Sequence, residues 1–136
     1  MDFGISLLPF IIGAIINMVL GALWYSPVLF AKPWMKEAGI TQEYVEVSQG
    51  KMGKVYIFTT VMAFFTSFMI GFLILNMGIT TISNALILAV ILWIGTNVPS
   101  IIKNWGFEDR TIKLGIINHG YDLLVYLLVS LLFVLF

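Results

Sequence analysis

The chain has 136 residues, of which 60% are hydrophobic and only 10% are charged, and its formal net charge at pH 7 is +0. A soluble domain of this length cannot hide so much apolar surface, so the composition excludes a water-soluble fold and is typical of membrane proteins. The basic residues are interleaved with acids, which argues against nucleic acid as a partner. With one histidine and no cysteine, the sequence predicts neither a metal site nor another cofactor.

Four apolar windows are each long enough to cross a bilayer, which takes about 20 residues. They run from about Ile5 to Phe30, Val55 to Met77, Ile82 to Ile102 and Leu114 to Phe136. We therefore predict an all-α polytopic membrane protein with four transmembrane helices in an up-down bundle. The bundle is expected to form one domain, residues 1–136, with its longer loops at residues 31–54 and 103–113.

The basic residues show which side of the membrane each loop occupies. All 7 lie in the two longer loops, and loops rich in lysine and arginine usually stay in the cytoplasm. We expect both loops to be cytoplasmic and both termini to lie on the other side. The predicted location is the cell (inner) membrane, with the lipid bilayer as the first partner of the chain.

The fourth window carries most of the polar residues that lie inside a span. At 100° per residue, one face, roughly a third of the helix circumference, holds Gly115, Asn118, His119, Asp122, Tyr126 and Ser130. A carboxylate at this depth costs about 3 kcal/mol even on the lenient insertion scale, so Asp122 indicates a functional site. His119 and Asn118 lie three and four residues before it, and both can therefore pair with its carboxylate.

Other spans place polar groups at the same expected depth. The first contributes Trp24 and Tyr25, and the third contributes Asn97, while Asn17 lies on the same face of the first span as Trp24. Together with the fourth span they predict a polar cavity that opens to the cytoplasm, with Tyr126 beyond Asp122. The competing interpretation is that Asn17 and Asn97 only tie the fourth helix to its neighbours, each bond contributing about 0.6 kcal/mol.

Two functions follow from these interpretations. The first is binding or translocation of a small polar or cationic solute, linked to protons through Asp122. The alternative is a non-catalytic accessory or assembly subunit of a membrane complex. No phosphate loop, nucleophile elbow or other catalytic motif is present, so we do not expect an enzyme.

The spacing of Gly13 and Gly21 around Asn17 is typical of close helix contacts, and we expect a homo-oligomer, either a dimer or a trimer.

An internal duplication is also suggested by the order of residue types. The stretches Gly21 to Trp34 and Gly95 to Trp105 both run from glycine through a polar pair and proline to lysine and tryptophan. If they correspond, the chain consists of two repeated helical hairpins, a scheme found in some transporters.

Three short stretches carry a resemblance to a known family. They are LWYSPVLFAKPW from Leu23 to Trp34, FEDR from Phe107 to Arg110, and INHGY from Ile117 to Tyr121. The chain resembles the small prokaryotic four-span membrane proteins of domain-of-unknown-function family seventeen sixty-one, and the resemblance covers nearly the whole chain. It implies four spans and a membrane location, and no activity. The histidine that the family would place after the tyrosine is Asp122 here, with His119 before that tyrosine.

Overall fold

The computed structural model describes all 136 residues and contains six α-helices and no strand. They are α1 (Leu7–Trp24), α2 (Ala31–Ala38), α3 (Gln42–Ser48), α4 (Met52–Asn76), α5 (Ile82–Glu108) and α6 (Ile112–Leu135). Helices α3 and α4 follow each other through a short 3-10 turn, Gln49–Lys51. Four helical segments, ending at Trp24, Asn76, Glu108 and Leu135, are long and apolar enough to cross a membrane. The predicted all-α, four-span fold is confirmed.

The helices do not end where the apolar windows end. α1 stops at Trp24, well before Phe30, because Pro27 has no N–H with which to continue the helical ladder. A compact turn follows, in which the Ser26 hydroxyl donates to the Leu23 carbonyl at 2.7 Å. In contrast, α5 runs past Ile102 to Glu108. Hydrophobicity marks the part of a helix that suits lipid, and backbone hydrogen bonding decides where the helix ends.

The long helices alternate in direction, so the two ends of the bundle differ in character. The terminal end holds the start of α1, the end of α4 and the end of α6. There the Asp2 amide donates to Asn76 Oδ1 and Asn76 Nδ2 donates to the Asp2 carbonyl, both at 2.7 Å. The loop end holds α2, α3 and the turn between α5 and α6. All the basic residues lie toward the loop end.

Helix α6 lies at the centre of the bundle. It packs against α1, α4 and α5, whereas α5 packs almost entirely on α6. The terminal half is filled by an apolar core from three helices: Ile70, Ile74, Leu88, Val125 and Val129. The polar face of α6 therefore lies nearer the loop end, between α1 and α5.

Small residues let the backbones of α1, α4 and α6 approach closely. A Cβ atom added at Gly13 would meet Ser67 Oγ at 2.5 Å and Val129 at 3.2 Å, and Ser67 donates to the Phe10 carbonyl at 2.8 Å. Gly21 faces the Tyr121 phenol in the same way. The Gly13 to Gly21 face is thus used within the chain, so it is not available as the contact between subunits on which the oligomer prediction partly rested.

The two stretches that suggested a duplication have different local structures. Residues 21–34 leave α1, turn, and start α2, whereas residues 95–105 stay within α5, including Pro99. Pro27 follows a helix end, and Pro99 is accommodated inside a helix. The shared order of residue types is not matched by a shared backbone path.

Replacing Gly13 by Ala should lower the stability of the protein in detergent. The added methyl group displaces Ser67 Oγ or Val129, and overpacking of this kind costs about 1 to 3 kcal/mol. The matched control is Gly95→Ala, because no atom lies within 4 Å of a Cβ there and alanine favours a helix by up to about 1 kcal/mol over glycine. Thermal unfolding should show a lower Tm for the first variant alone; equal Tm values would contradict the packing described.

Candidate functional site

Three polar side chains of α5 and α6 form a cluster that we call the polar triangle: Asn97, His119 and Asp122. Asn97 Nδ2 donates to Asp122 Oδ2 at 2.6 Å and lies 2.8 Å from His119 Nδ1. The third side, from His119 Nδ1 to Asp122 Oδ2, is 3.2 Å long. Asn97 is only 5% exposed, while the side chains of His119 and Asp122 are 18% and 34% exposed.

A threonine that the sequence analysis did not select supports this triangle. The Thr96 hydroxyl lies 2.8 Å from Asn97 Oδ1 and 2.7 Å from the Leu92 carbonyl, and it donates its one proton to one of these two oxygens. Asn97 therefore presents its Nδ2 group, and not its oxygen, to Asp122. Tyr126, one turn beyond Asp122 on α6, packs against the apolar core. Thr96 precedes Asn97 directly, so helical phase alone does not place it on the same face.

On its other side, α6 is tied to α1 by a second set of hydrogen bonds. The Tyr121 hydroxyl donates to the Asn17 carbonyl at 2.7 Å and also contacts the Asn17 side-chain oxygen. Trp24 Nε1 donates to the Ile117 carbonyl at 2.8 Å, and the Tyr25 hydroxyl donates to Asn118 Oδ1 at 2.9 Å. Three of the selected residues, Asn17, Trp24 and Tyr25, therefore contact Tyr121, a residue that was quoted only as part of a motif, and Asn118 joins them through Tyr25.

Two tryptophans fix the backbone of α6 next to its polar residues. Trp24 reaches the Ile117 carbonyl from α1, and Trp93 Nε1 donates to the His119 carbonyl from α5 at 2.6 Å. An indole N–H that enters a membrane span needs an acceptor, because nothing in the hydrocarbon can replace water. These two bonds set the rotation of α6 about its own axis. Trp93 was not among the site residues selected from sequence, since a tryptophan on an apolar helix is equally consistent with a role in packing alone.

A cleft of about 470 Å³ opens at the loop end of the bundle. Its walls are the corner between α2 and α3, the last turns of α5 and the first turns of α6. The polar lining residues are Tyr44, Asn104, Glu108, Arg110, Thr111, Asn118 and His119. Of the eight residues selected from sequence, only Asn118 and His119 line this cleft. Asp122 does not line it and is linked to it through His119.

The wall made by α2 is held against α6 by a carboxylate. Glu37 accepts a hydrogen bond from the Thr111 hydroxyl at 2.6 Å and lies 3.8 Å from Lys113 Nζ. Thr111 in turn caps α6, since its hydroxyl accepts from the Leu114 amide at 3.1 Å. The Glu37 side chain is only 15% exposed, and a negative charge beside a helix N-terminus is stabilising. Residues 31–54 contain the helices α2 and α3, and the corner between them closes one side of the cleft.

Comparison with family models gives a match over residues 8–134, to the family described as Protein of unknown function (DUF1761). The chain belongs to that family. The match covers all four membrane-spanning helices, so the resemblance suggested by the aromatic-Ser-Pro turn after α1 and the Asn-His-Gly-Tyr stretch in α6 is confirmed. No curated protein and no solved structure matches the chain.

Replacing Asn97 by Leu should destabilise the protein, because leucine is of similar size but leaves Asp122 and His119 without their donor. An unsatisfied buried polar group costs about 1 to 3 kcal/mol. The matched control is Asn104→Leu on the same helix, where the side chain lines the cleft and the change should stay within about 0.5 kcal/mol. Unfolding in detergent measures both variants, and equal losses of stability would contradict a structural role for the triangle.

Proposed function

We propose that this membrane protein binds a small polar or cationic solute in the loop-end cleft and exchanges protons through Asp122 and His119, without acting as an enzyme. The observation that carries the proposal is the position of His119. It lines the cleft and also lies 3.2 Å from the Asp122 carboxylate. An ionisable residue inside a span commonly marks an ion or proton path.

The charges around the cleft favour a cation at its deep end. Glu108 and Arg110 both line the mouth and offset each other, whereas Asp122 lies behind His119, and the span portion of α6 beyond Lys113 contains no lysine or arginine. A carboxylate placed within a span costs about 3 kcal/mol, and a bound cation offsets that cost. Asn118 Nδ2 and His119 Nε2 have no hydrogen-bond partner within the protein and can form hydrogen bonds with the polar groups of a solute.

The direction in which the cleft opens rests on the positive-inside rule. With the two basic loops in the cytoplasm, the cleft faces the cytoplasm of the cell (inner) membrane, and both termini lie on the opposite side. Translocation would then require a path through the apolar core of the terminal half. Because α5 packs almost entirely on α6, a movement of α5 changes essentially one helix interface, and we assign the opening step to it.

A second candidate function is favoured by a different observation. Asp122 is hydrogen-bonded to Asn97 on another helix, so the same polar residues can serve only to specify helix packing in an accessory or assembly subunit. In that case the Asp122 surface that stays exposed would be covered by a partner chain, for which a homodimer or homotrimer is the simplest arrangement. The two candidates differ in whether Asp122 binds and titrates.

The proposal is tested by thermal unfolding of the wild type and Asp122→Asn in methylammonium chloride and in sodium chloride of equal ionic strength, from about pH 5 to 9. At ten times its Kd, methylammonium stabilises the wild type by about 1.4 kcal/mol. This effect should disappear toward pH 5, where protons compete with methylammonium for the Asp122 carboxylate. Asp122→Asn should remain folded and show neither the methylammonium effect nor the pH dependence.

The control for this experiment is Glu46→Gln, which removes an exposed carboxylate of α3 that does not line the cleft and should behave as the wild type. If Asp122→Asn instead unfolds or changes oligomer size at every pH, Asp122 is a packing residue and the accessory-subunit function replaces the proposal.

The proposed orientation is tested by cysteine labelling, which is clean because the natural chain has no cysteine. Ser83→Cys and Gln49→Cys place single thiols at exposed positions on opposite ends of the bundle. A membrane-impermeant maleimide added to intact spheroplasts should label position 83 and leave position 49 unlabelled until the cells are lysed. The reverse pattern would place the cleft on the outer side.

A further inference from the structure

We propose that His119 is the proton relay that connects water in the loop-end cleft with the Asp122 carboxyl group. The inference rests on the proposed function, in which Asp122 exchanges protons, and it assigns the route by which the proton travels. His119 is a positioning and transfer group here, and Asp122 is the group that finally holds the proton.

The first support is the geometry of the imidazole ring. Nδ1 lies 3.2 Å from Asp122 Oδ2, within reach of a direct transfer once the two atoms tighten. Nε2, the other ring nitrogen, has no hydrogen-bond partner in the protein, and His119 lines the cleft. One ring therefore contacts the carboxyl group with one nitrogen and leaves the other for cleft water.

The second support is that no other titratable side chain hydrogen-bonds to Asp122. Three phenols lie near it, but none of them hydrogen-bonds to it. Tyr25 donates to Asn118 and Tyr121 donates to Asn17. Glu108 and Arg110 lie at the cleft mouth, and α4 brings no titratable group to the triangle. Asn97 contacts Asp122, but an amide does not exchange protons near neutral pH.

The number of protons balances in this transfer, and the imidazole ring does not have to turn. In one state Asp122 is protonated, its O–H donates to Nδ1, and the imidazole carries its proton on Nε2. The carboxyl proton moves to Nδ1 while Nε2 releases its own proton to water in the cleft. The products are an Asp122 carboxylate, a neutral imidazole protonated on Nδ1, and one proton in the cleft. The reverse steps restore the first state. Asn97 Nδ2 can donate to Oδ2 in both states, and its 2.8 Å contact with Nδ1 lengthens when Nδ1 is protonated, because both nitrogens then carry hydrogen.

This route distinguishes a relay from a packing role. A side-chain amide at position 119 can supply hydrogen bonds to Asn97 and Asp122, but it cannot accept a proton at one end and release another at the opposite end. Replacing His119 by Gln therefore keeps the polar contacts and removes the transfer. A positioned proton-transfer group usually accelerates such a step by a factor of about 10² to 10⁴.

The test follows the infrared band of the protonated Asp122 carboxyl group after a rapid pH jump, using the full-length protein in lipid nanodiscs. The band is assigned by its absence in Asp122→Asn. His119→Gln should slow its appearance about a hundredfold while it still reaches a full titration at equilibrium. Asn104→Ala is the matched control, because Asn104 lines the cleft without contacting the carboxyl group, and its rate should stay within about twofold of the wild type.

A chemical rescue separates transfer from structure. In His119→Ala, free imidazole can enter the cleft of about 470 Å³ and should restore the rate in proportion to its concentration. A rate in His119→Gln equal to that of the wild type overturns the relay, and so does a slow His119→Ala that imidazole leaves slow. If the wild type shows no Asp122 band at any pH between about 5 and 9, the proton-linked part of the proposed function fails together with the relay.

Discussion

The carboxyl group of Asp122 lies inside a membrane span, where lipid chains offer it no hydrogen bond, and this constraint governs how the neighbouring helix is placed. The group is satisfied by Asn97 of α5 and His119 of its own helix, so α5 must lie at one rotation and one depth against α6. Trp93, also on α5, fixes the same pair of helices through the His119 carbonyl. Apolar packing alone would permit several rotations of two such helices, because lipid chains and leucine side chains are equally apolar.

The central position of α6 follows from the same polar face. α6 carries hydrogen-bonding groups toward α5 on one side and toward α1 on the other, and its terminal half packs into the apolar core with α4 and α5. The bundle is therefore uneven: three helices, α1, α4 and α6, pack closely through small residues, and α5 adds to α6 alone. This arrangement places a water-accessible cleft and a half-buried carboxyl group on the two sides of one histidine.

The sequence placed the most important residues of the site on the correct helix faces. Helical phase grouped His119 and Asp122, and depth matched them with Asn97; the structure brings all three into contact. The structure places Asn17, Trp24 and Tyr25 away from these three residues, on the opposite side of α6. Thr96, Tyr121 and Trp93 were missed, since their roles depend on which neighbouring carbonyl or amide each one meets, and periodicity carries no information about a partner on another helix.

By itself, the sequence determined the membrane class, the number of spans and the family, because these depend on hydrophobicity, length and local motifs that every span carries independently. Only the tertiary structure decided that the Gly13 to Gly21 face of α1 packs against other helices of the same chain. It also decided that Asp122 lies behind His119 and outside the cleft, and that Glu37 holds α2 to α6. These features depend on the rotation and separation of whole helices. Those are set by the sum of contacts between segments far apart in the chain, and no single segment encodes them.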